Sequence, residues 1–538
     1  MLTKGVFSLI CPQGLVLIFK KSSTSKGKHT MLILSKRRGL WSSMPQGTFA
    51  LFFIQVVSTL SFSVLYSTLV LYMKGKLGLP IATANSIMGV FIAYNFALHL
   101  LGGFWGGRLL SNRSLFCVGM IAQILGCVLL SIGNTTFLYY GLAAFLTGSG
   151  LNVTCVNCML TQQFTPEDSR RETAFLWNYA GMNIGFFIGF SLSGAFQISQ
   201  NYQRLFLLSS LGNLVALLIC LYFWQQLHDK NTTYSRKDKP AQRKATALGI
   251  GLIFVLPFIL RQLLQYADWA NKLVIVTGII MLILILILAQ QQSTKEARDK
   301  IYGFAVLMLV GTVFWMLYQI GPMGLTVFID HNVQRQYANW IIPPQWFQNI
   351  NTVVIVFGGP LLGFILNRMR QNGSQINIPT QFAFALFFIG VAFAILPIGI
   401  NYANQHGMVN PGWVVISFIL QSIGELLISP IGYAMIGALA PTSLQGVMMG
   451  MWMLNTGVGA TLSSYSSNLM IIGQESTSPL LTNEGYSHVF LMLGLFAIGS
   501  SVILFILVPK LRKLIKEKNL NGFKQSGLEV TERVALCE

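Results

Sequence analysis

Between residues 48 and 510, apolar runs of about bilayer-spanning length follow one another, separated by short polar breaks. About 20 residues at 1.5 Å each cross a hydrocarbon core. In lipid, only a helix or a closed barrel satisfies its own backbone hydrogen bonds. Barrel strands alternate apolar and polar residues over about 10 positions, and these runs do not alternate. The chain is 53% hydrophobic and 10% charged, against roughly one quarter charged for a soluble domain. It therefore reads as an all-α polytopic membrane protein.

The runs put spans at 48–73, 82–105, 114–133, 136–161, 174–197, 203–226, 247–264, 271–292, 302–329, 345–367, 380–401, 412–437, 443–472 and 487–509. These fourteen helices group as six, two and six. The expected organisation is a basic tail over 1–44, a six-helix bundle over 45–227, a linker with two extra helices over 228–300, a second six-helix bundle over 301–510 and a tail over 511–538. GGFWGGRLLSNR (102–113) closes the second helix of the first six, and GGPLLGFILNRMR (358–370) closes the second helix of the last six. Two pseudo-symmetric bundles of this kind make an alternating-access architecture, with cargo held between the halves near the midplane.

The net charge of +20 raises nucleic acid as a partner, and its placement excludes it: no basic stripe is interleaved with aromatics in a soluble domain. With the N-terminus inside, the inner loops hold fifteen Lys and Arg and the outer loops and helix ends six. That bias orients both termini to the cytoplasm. Segments 5–10 and 14–19 are too short to span, so residues 1–43 read as a disordered tail or an extension upstream of a start at Met31 or Met44, and not as a cleaved signal peptide. KLRKLIKEKNLNGFK (510–524) reads as a basic amphipathic stretch at the inner surface. Cys117, Cys127, Cys155, Cys158 and Cys220 fall within spans, and CVNC (155–158) has no second pair to complete a metal site. They read as packing residues; no metal or cofactor is expected. His99, deep in a span, reads as a hydrogen-bonded interior residue rather than a proton relay.

Of the sixteen Asp and Glu, only Glu425, in QSIGELLISPIG (421–432), falls well inside a span. An ionisable group there costs about 2.5–3.5 kcal/mol and normally faces a watery cavity or a partner. No Lys or Arg lies at comparable depth. Burial favours the neutral acid when the site is empty, and an arriving cation favours the carboxylate. Glu425 is thus the candidate for binding an amine and exchanging a proton. The competing reading is an interior carboxyl that serves packing alone. The spans hold no second carboxylate, metal cluster or nucleophile with its base, which argues against an enzyme.

GELLISPIG and LAPTSLQGVMMGMWMLNTGVG (439–459) resemble the proton-dependent oligopeptide transporters (POT or PTR family) of the major facilitator superfamily. NYAGMNIG (178–185) looks like that family's fifth-helix signature, FWMLYQIGPMGLTVF (314–328) like its seventh helix, and IPPQWFQNINTVVIVFGGPLLGF (342–364) like its eighth. The likeness covers nearly all of residues 45–510. It implies a major-facilitator fold and uptake of di- and tripeptides driven by protons. It also implies that Glu425, Asn183 and Asn351 hold the peptide amino terminus. Tyr179, Trp315, Tyr318 and Trp452 fall at or beside matching positions and are expected to line side-chain pockets. Ser429 and Pro430 suit a local helix break. The extra helix pair is a bacterial trait of the family, implying the plasma (bacterial inner) membrane.

The family's charges, however, are missing. Where its first helix carries ExxERFxYY, this chain has QVVSTLSFS (55–63), so Gln55 and Ser58 replace the acids and Thr59 the arginine. A further arginine one turn on falls at Tyr66, the fourth-helix lysine at Val153, the seventh-helix glutamate at Gln319 and a loop acid at Gly107. Losing both signs together leaves a neutral cavity rather than stranded charge. The N-terminal half then offers Gln55, Asn95, Asn152 and Asn157 to a substrate, and no cation for its carboxylate. The expectation is a secondary transporter of di- and tripeptides or related amine-bearing solutes, with proton symport through Glu425 left open. An uncoupled facilitator, or a transport-inactive sensor or scaffold, is the alternative. Expected partners are the substrate, protons and membrane lipid around a monomer.

Overall fold

The computed structural model describes residues 8–10, 16–18 and 44–515, apart from 166–167, 169, 373–375, 442–443 and 472–477. Nearly all of the two basic tails lies outside these; of the amphipathic stretch expected over 510–524, residues 510–515 continue the last helix and the remainder lies outside. Within the first tail, Ser8–Ile10 (β1) pairs antiparallel with Val16–Ile18 (β2).

Fourteen long helices make up most of the remaining described residues. They are α1 (Gln46–Gly75), α2 (Ile81–Trp105), α3 (Asn112–Ser131), α4 (Thr135–Thr161), α5 (Arg170–Ser199), α6 (Tyr202–Tyr222), α7 (Lys239–Gln265) and α8 (Ala267–Gln290). Then come α9 (Lys295–Asn332), α10 (Pro344–Gln371), α11 (Ile378–Asn401), α12 (Pro411–Leu439), α13 (Gln445–Leu469) and α14 (Pro479–Ile515). Thirteen are apolar and long enough to cross a membrane by themselves. The exception, α13, carries NTGVGATLSSYSSN (455–468), whose small polar residues lower its hydropathy while letting neighbours approach. Short side-chain caps mark several starts: Asn134 Oδ1 accepts from the Phe137 amide at 2.9 Å, and Asn410 Oδ1 from Gly412 at 2.8 Å.

The spans sit where the apolar runs put them, but their breaks differ from expectation. No break occurs at Ser429–Pro430: α12 runs through it unbroken, since a proline removes one N–H and leaves the other bonds of the helix in place. The interruption falls instead in α9, where Gly321–Leu325 forms a π-helical turn around Gly321–Pro322 and Met323 takes φ −113°, ψ −110°. Beyond it a small hairpin, Gln336–Tyr337 (β3) with Trp340–Ile341 (β4), leads into α10.

Packing repeats in the two groups of six. In the first, α3 packs on α4 and α6, α1 on α5, and α2 on α4; in the second, α11 packs on α12 and α14, α9 on α13, and α10 on α12. The groups meet along α2–α13 and α5–α10. Close crossings rest on glycine: a Cβ on Gly148 of α4 would lie 2.1 Å from the Gly119 carbonyl of α3. The extra pair lies outside this body, with α7 against α4 and α2 and α8 against α2, α9 and α13. Buried Asn271 of α8 ties that seam, donating to the Ser86 carbonyl of α2 (3.0 Å) and accepting from Thr461 of α13 (3.1 Å).

Trp452 of α13 shows how tightly the second bundle is filled. Its indole fits beside Gly311 of α9 and Gly432 of α12 and meets the Phe382 ring of α11 edge-on. A Cβ at Gly432 would stand 2.2 Å from Trp452 Cζ2, whereas at Gly437, on the same helix, nothing lies within 4 Å. Gly432→Ala is therefore expected to cost about 1–3 kcal/mol and Gly437→Ala almost nothing. Thermal unfolding in detergent, followed by tryptophan fluorescence, compares them; equal midpoints would mean that α12 shifts freely past the indole.

Candidate functional site

Glu425 stands fourteen residues from either end of α12, about 21 Å of helix each way. Asn351 of α10 donates from Nδ2 to its Oε2 at 2.8 Å and lies 3.0 Å from Ser422 Oγ one turn away. The Tyr318 hydroxyl of α9 bonds the same carboxyl group. Two phenols of the other half face it, Tyr66 of α1 and Tyr179 of α5. Every group around the carboxyl is neutral, and among the described residues no ion pair includes Glu425. Amides and hydroxyls satisfy it without cancelling its charge, which leaves a negative centre for a cationic guest.

The surrounding polar groups come from both halves. Asn183 of α5 sits one turn beyond Tyr179, donating to its carbonyl at 2.9 Å. Tyr66 donates to Gln319 Oε1 at 2.7 Å, joining α1 to α9. At the two positions where the resemblance implies arginine and glutamate, this chain has an uncharged hydrogen bond. On α1, Gln55 donates to Thr59 Oγ1 at 3.0 Å and accepts from Asn178 at 3.3 Å. Asn178 also lies 3.5 Å from Asn157. The positions expected to carry the coupling charges thus form a neutral chain of side chains. Trp315 presents a buried Nε1 with no protein partner, edge-on to Tyr318.

Three expected residues lie elsewhere. Asn152 packs into the α3–α4 seam, where a Cβ on Gly119 would come within 2.2 Å of its Oδ1, because the glycine leaves a notch there for the side chain. Asn95 accepts from Ser149 at 2.8 Å between α2 and α4. Trp452 is core packing, as the glycines around it dictate, and not a pocket wall. Sequence reading passed over Asn178 and Tyr433. Asn178 precedes Tyr179 in the quoted NYAGMNIG segment, but only the α1–α5 crossing reveals its link to Gln55.

On the α5–α10 side the two halves are joined at the end away from the start of α1. There Asn349 donates to Ser191 Oγ (3.0 Å), Trp346 to the Ser191 carbonyl (3.1 Å) and Gln345 to Gln197 (3.1 Å), all from α10 to α5. Lys74 of α1 contacts His331 of α9 at the same end. Toward the other end, Tyr179 and Tyr433, neighbours across the gap between α5 and α12, remain 43% and 48% exposed. At that end α5 and α12 thus leave these two phenols uncovered.

The family model described as "PTR2: POT family" matches residues 113–484. The "Dipeptide and tripeptide permease A" of Salmonella typhimurium is 28% identical over 479 residues, 88% of this chain and 94% of the relative. The "Dipeptide and tripeptide permease B" of the same organism is 28% identical over 473 residues, covering 88% and 96%. Among solved structures, a mutant "peptide transporter POT" in complex with alafosfalin superposes with a TM-score of 0.77 at 24% identity, covering 89% of this chain and 99% of its own. A family match over so much of the length, together with the paired six-helix bundles, means that this chain belongs to the POT family.

Proposed function

We propose that this membrane transporter carries di- and tripeptides, or related solutes bearing a primary amine, by alternating access, and docks the amine on Glu425. One observation carries the reading: a lone carboxyl at mid-span, held by Asn351 and Tyr318 and faced from the other half by Tyr66 and Tyr179. The permease relatives support the substrate class. Asn183 and Asn351 offer amide oxygens to the ammonium, and Trp315, Tyr318, Tyr179 and Gln319 line the remainder. At the Gln55 end a substrate carboxylate meets amides and hydroxyls. The lysine and arginine bias supports cytoplasmic termini in a bacterial inner membrane, which makes the end where α1 begins the inner one. Two hydrophobic cores, one mostly before residue 271 and one after 284, support two bundles over 45–227 and 301–510.

The test compares Ala-Ala, N-acetyl-Ala-Ala and Ala-Ala amide binding to the purified chain. A hydrogen bond to a charged group contributes about 1.5–3 kcal/mol, so acetylation is expected to weaken binding at least about tenfold, and amidation to change it less than about threefold. Equal affinity for the free and acetylated peptides would refute amine recognition. Strict dependence on a free carboxylate would reveal a cation facing the cavity.

A further inference from the structure

Away from the Glu425 site, the seam between α3 and α6 holds two thiols in contact. Cys117 of α3 donates to Cys220 of α6, with the sulfurs 3.6 Å apart. Cys117 is 8% exposed and Cys220 not at all. One turn nearer the start of α3, the guanidinium of Arg113 lies 4.2 Å from the ring centre of Trp224, which follows Cys220 by one turn, and donates to the Trp224 carbonyl. The charge of Arg113 acts on both sulfurs. Thiols beside a fixed cation are the reactive ones, because the thiolate is the nucleophile. The other described cysteines are placed differently: Cys155 donates to the Leu151 carbonyl of its own helix at 3.2 Å, Cys158 follows it on α4, and Cys127 is buried further along α3. All five are free thiols, and among the described residues no group of three or more His, Cys, Asp or Glu is set to hold a metal ion. The chemistry open to two touching sulfurs is the bond between them.

We propose that Cys117 and Cys220 are a redox-active pair, which hydrogen peroxide closes into a disulfide that staples α3 to α6. A disulfide holds its sulfurs about 2 Å apart, so small rotations of the two side chains lead from contact to bond. Cys117, the more exposed of the two, attacks one peroxide oxygen. The O–O bond breaks, the Cys117 sulfur becomes a sulfenic acid, and its thiol proton leaves with the other oxygen as water. The Cys220 sulfur then attacks Cys117, the S–O bond breaks, and the departing hydroxide takes the Cys220 proton as a second water. Two thiols and one peroxide become one disulfide and two waters, with the sulfurs oxidised and the peroxide oxygens reduced. The lysine and arginine bias supports a cytoplasmic position for this end of the bundle. Thiols there are kept reduced, which makes the bond a transient response to oxidant and not a permanent brace. Because α3 and α6 belong to the same six-helix group, the staple stiffens that group without tying it to the other.

The experiment exposes the purified full chain, freed of reductant, to hydrogen peroxide, then unfolds it in N-ethylmaleimide and maps the peptides by mass spectrometry. The expected product is a Cys117–Cys220 crosslink that dithiothreitol reverses. It protects both cysteines from alkylation together and raises the apparent Tm by several degrees, since closing so long a loop restricts the unfolded chain. Diamide, which oxidises thiol pairs without a sulfenic acid, gives the same crosslink. In Cys220→Ser the second sulfur is gone, so Cys117 stops at the sulfenic acid, dimedone traps it, and peroxide no longer raises the Tm. If neither oxidant links the two in the folded chain, or if Cys117 joins Cys155 or Cys158 instead, the pair is not the reactive unit and the inference is overturned. A crosslink that forms only after unfolding overturns it equally, because contact in the folded seam would then play no part.

Discussion

Glu425→Gln is expected to lower affinity for free-amine dipeptides by about 30-fold or more, while binding of N-acetylated dipeptides changes by less than about threefold. The size follows from the cost of removing one partner of a desolvated charge pair, about 2–5 kcal/mol, of which the lower bound is already about 30-fold. The fold should tolerate the change. A glutamine oxygen still accepts from Asn351 and Tyr318, the two groups that hold the carboxyl, so the local hydrogen bonds survive and only the charge is lost. Calorimetric titration of both ligands against both proteins measures the difference, with gel filtration to establish that the variant is folded. A variant that still prefers the free amine by an order of magnitude would place the ammonium on some other group.

How far the sequence carries the argument differs between the fold and the site. Fourteen spans were legible because a run of about 20 apolar residues has few alternatives in a bilayer, and one carboxyl inside such a run announces itself by its cost. Which face of each helix looks inward was not legible. A helix packed against protein on one side and lipid on the other is apolar all round, so the amphipathic stripe of a soluble helix is absent. Asn152 and Asn157 stand five residues apart on α4, and one fills a notch at Gly119 while the other meets Asn178. Nothing in their local sequence separates them. Trp452 sits in a strongly matching motif, yet the glycines at 311 and 432, far away in the chain, decide that it is core. Gln319 and Tyr66 were read singly as lost charges; their pairing appears only where α1 and α9 cross.

That pairing makes a second, larger prediction. Gln319→Glu alone puts a second acid beside Tyr66, close to Glu425 and without a cation; an uncompensated buried charge costs about 3–5 kcal/mol, so the apparent Tm should drop by several degrees. Tyr66→Arg alone should fold, because Glu425 faces that position and serves as a counter-ion. The captured carboxylate then has no charge left for a substrate amine, and free-amine dipeptide binding should fall at least about tenfold. Combined, the two substitutions neutralise each other, so that Glu425 is released and the stability loss of the single acid is largely recovered. A double-mutant cycle on Tm and on dipeptide affinity should return coupling beyond the roughly 0.3–0.5 kcal/mol scatter of independent sites. Additive losses would mean that the hydrogen bond between positions 66 and 319 does not bring them close enough to share charge, and the neutral pair would then be no remnant of a coupling device.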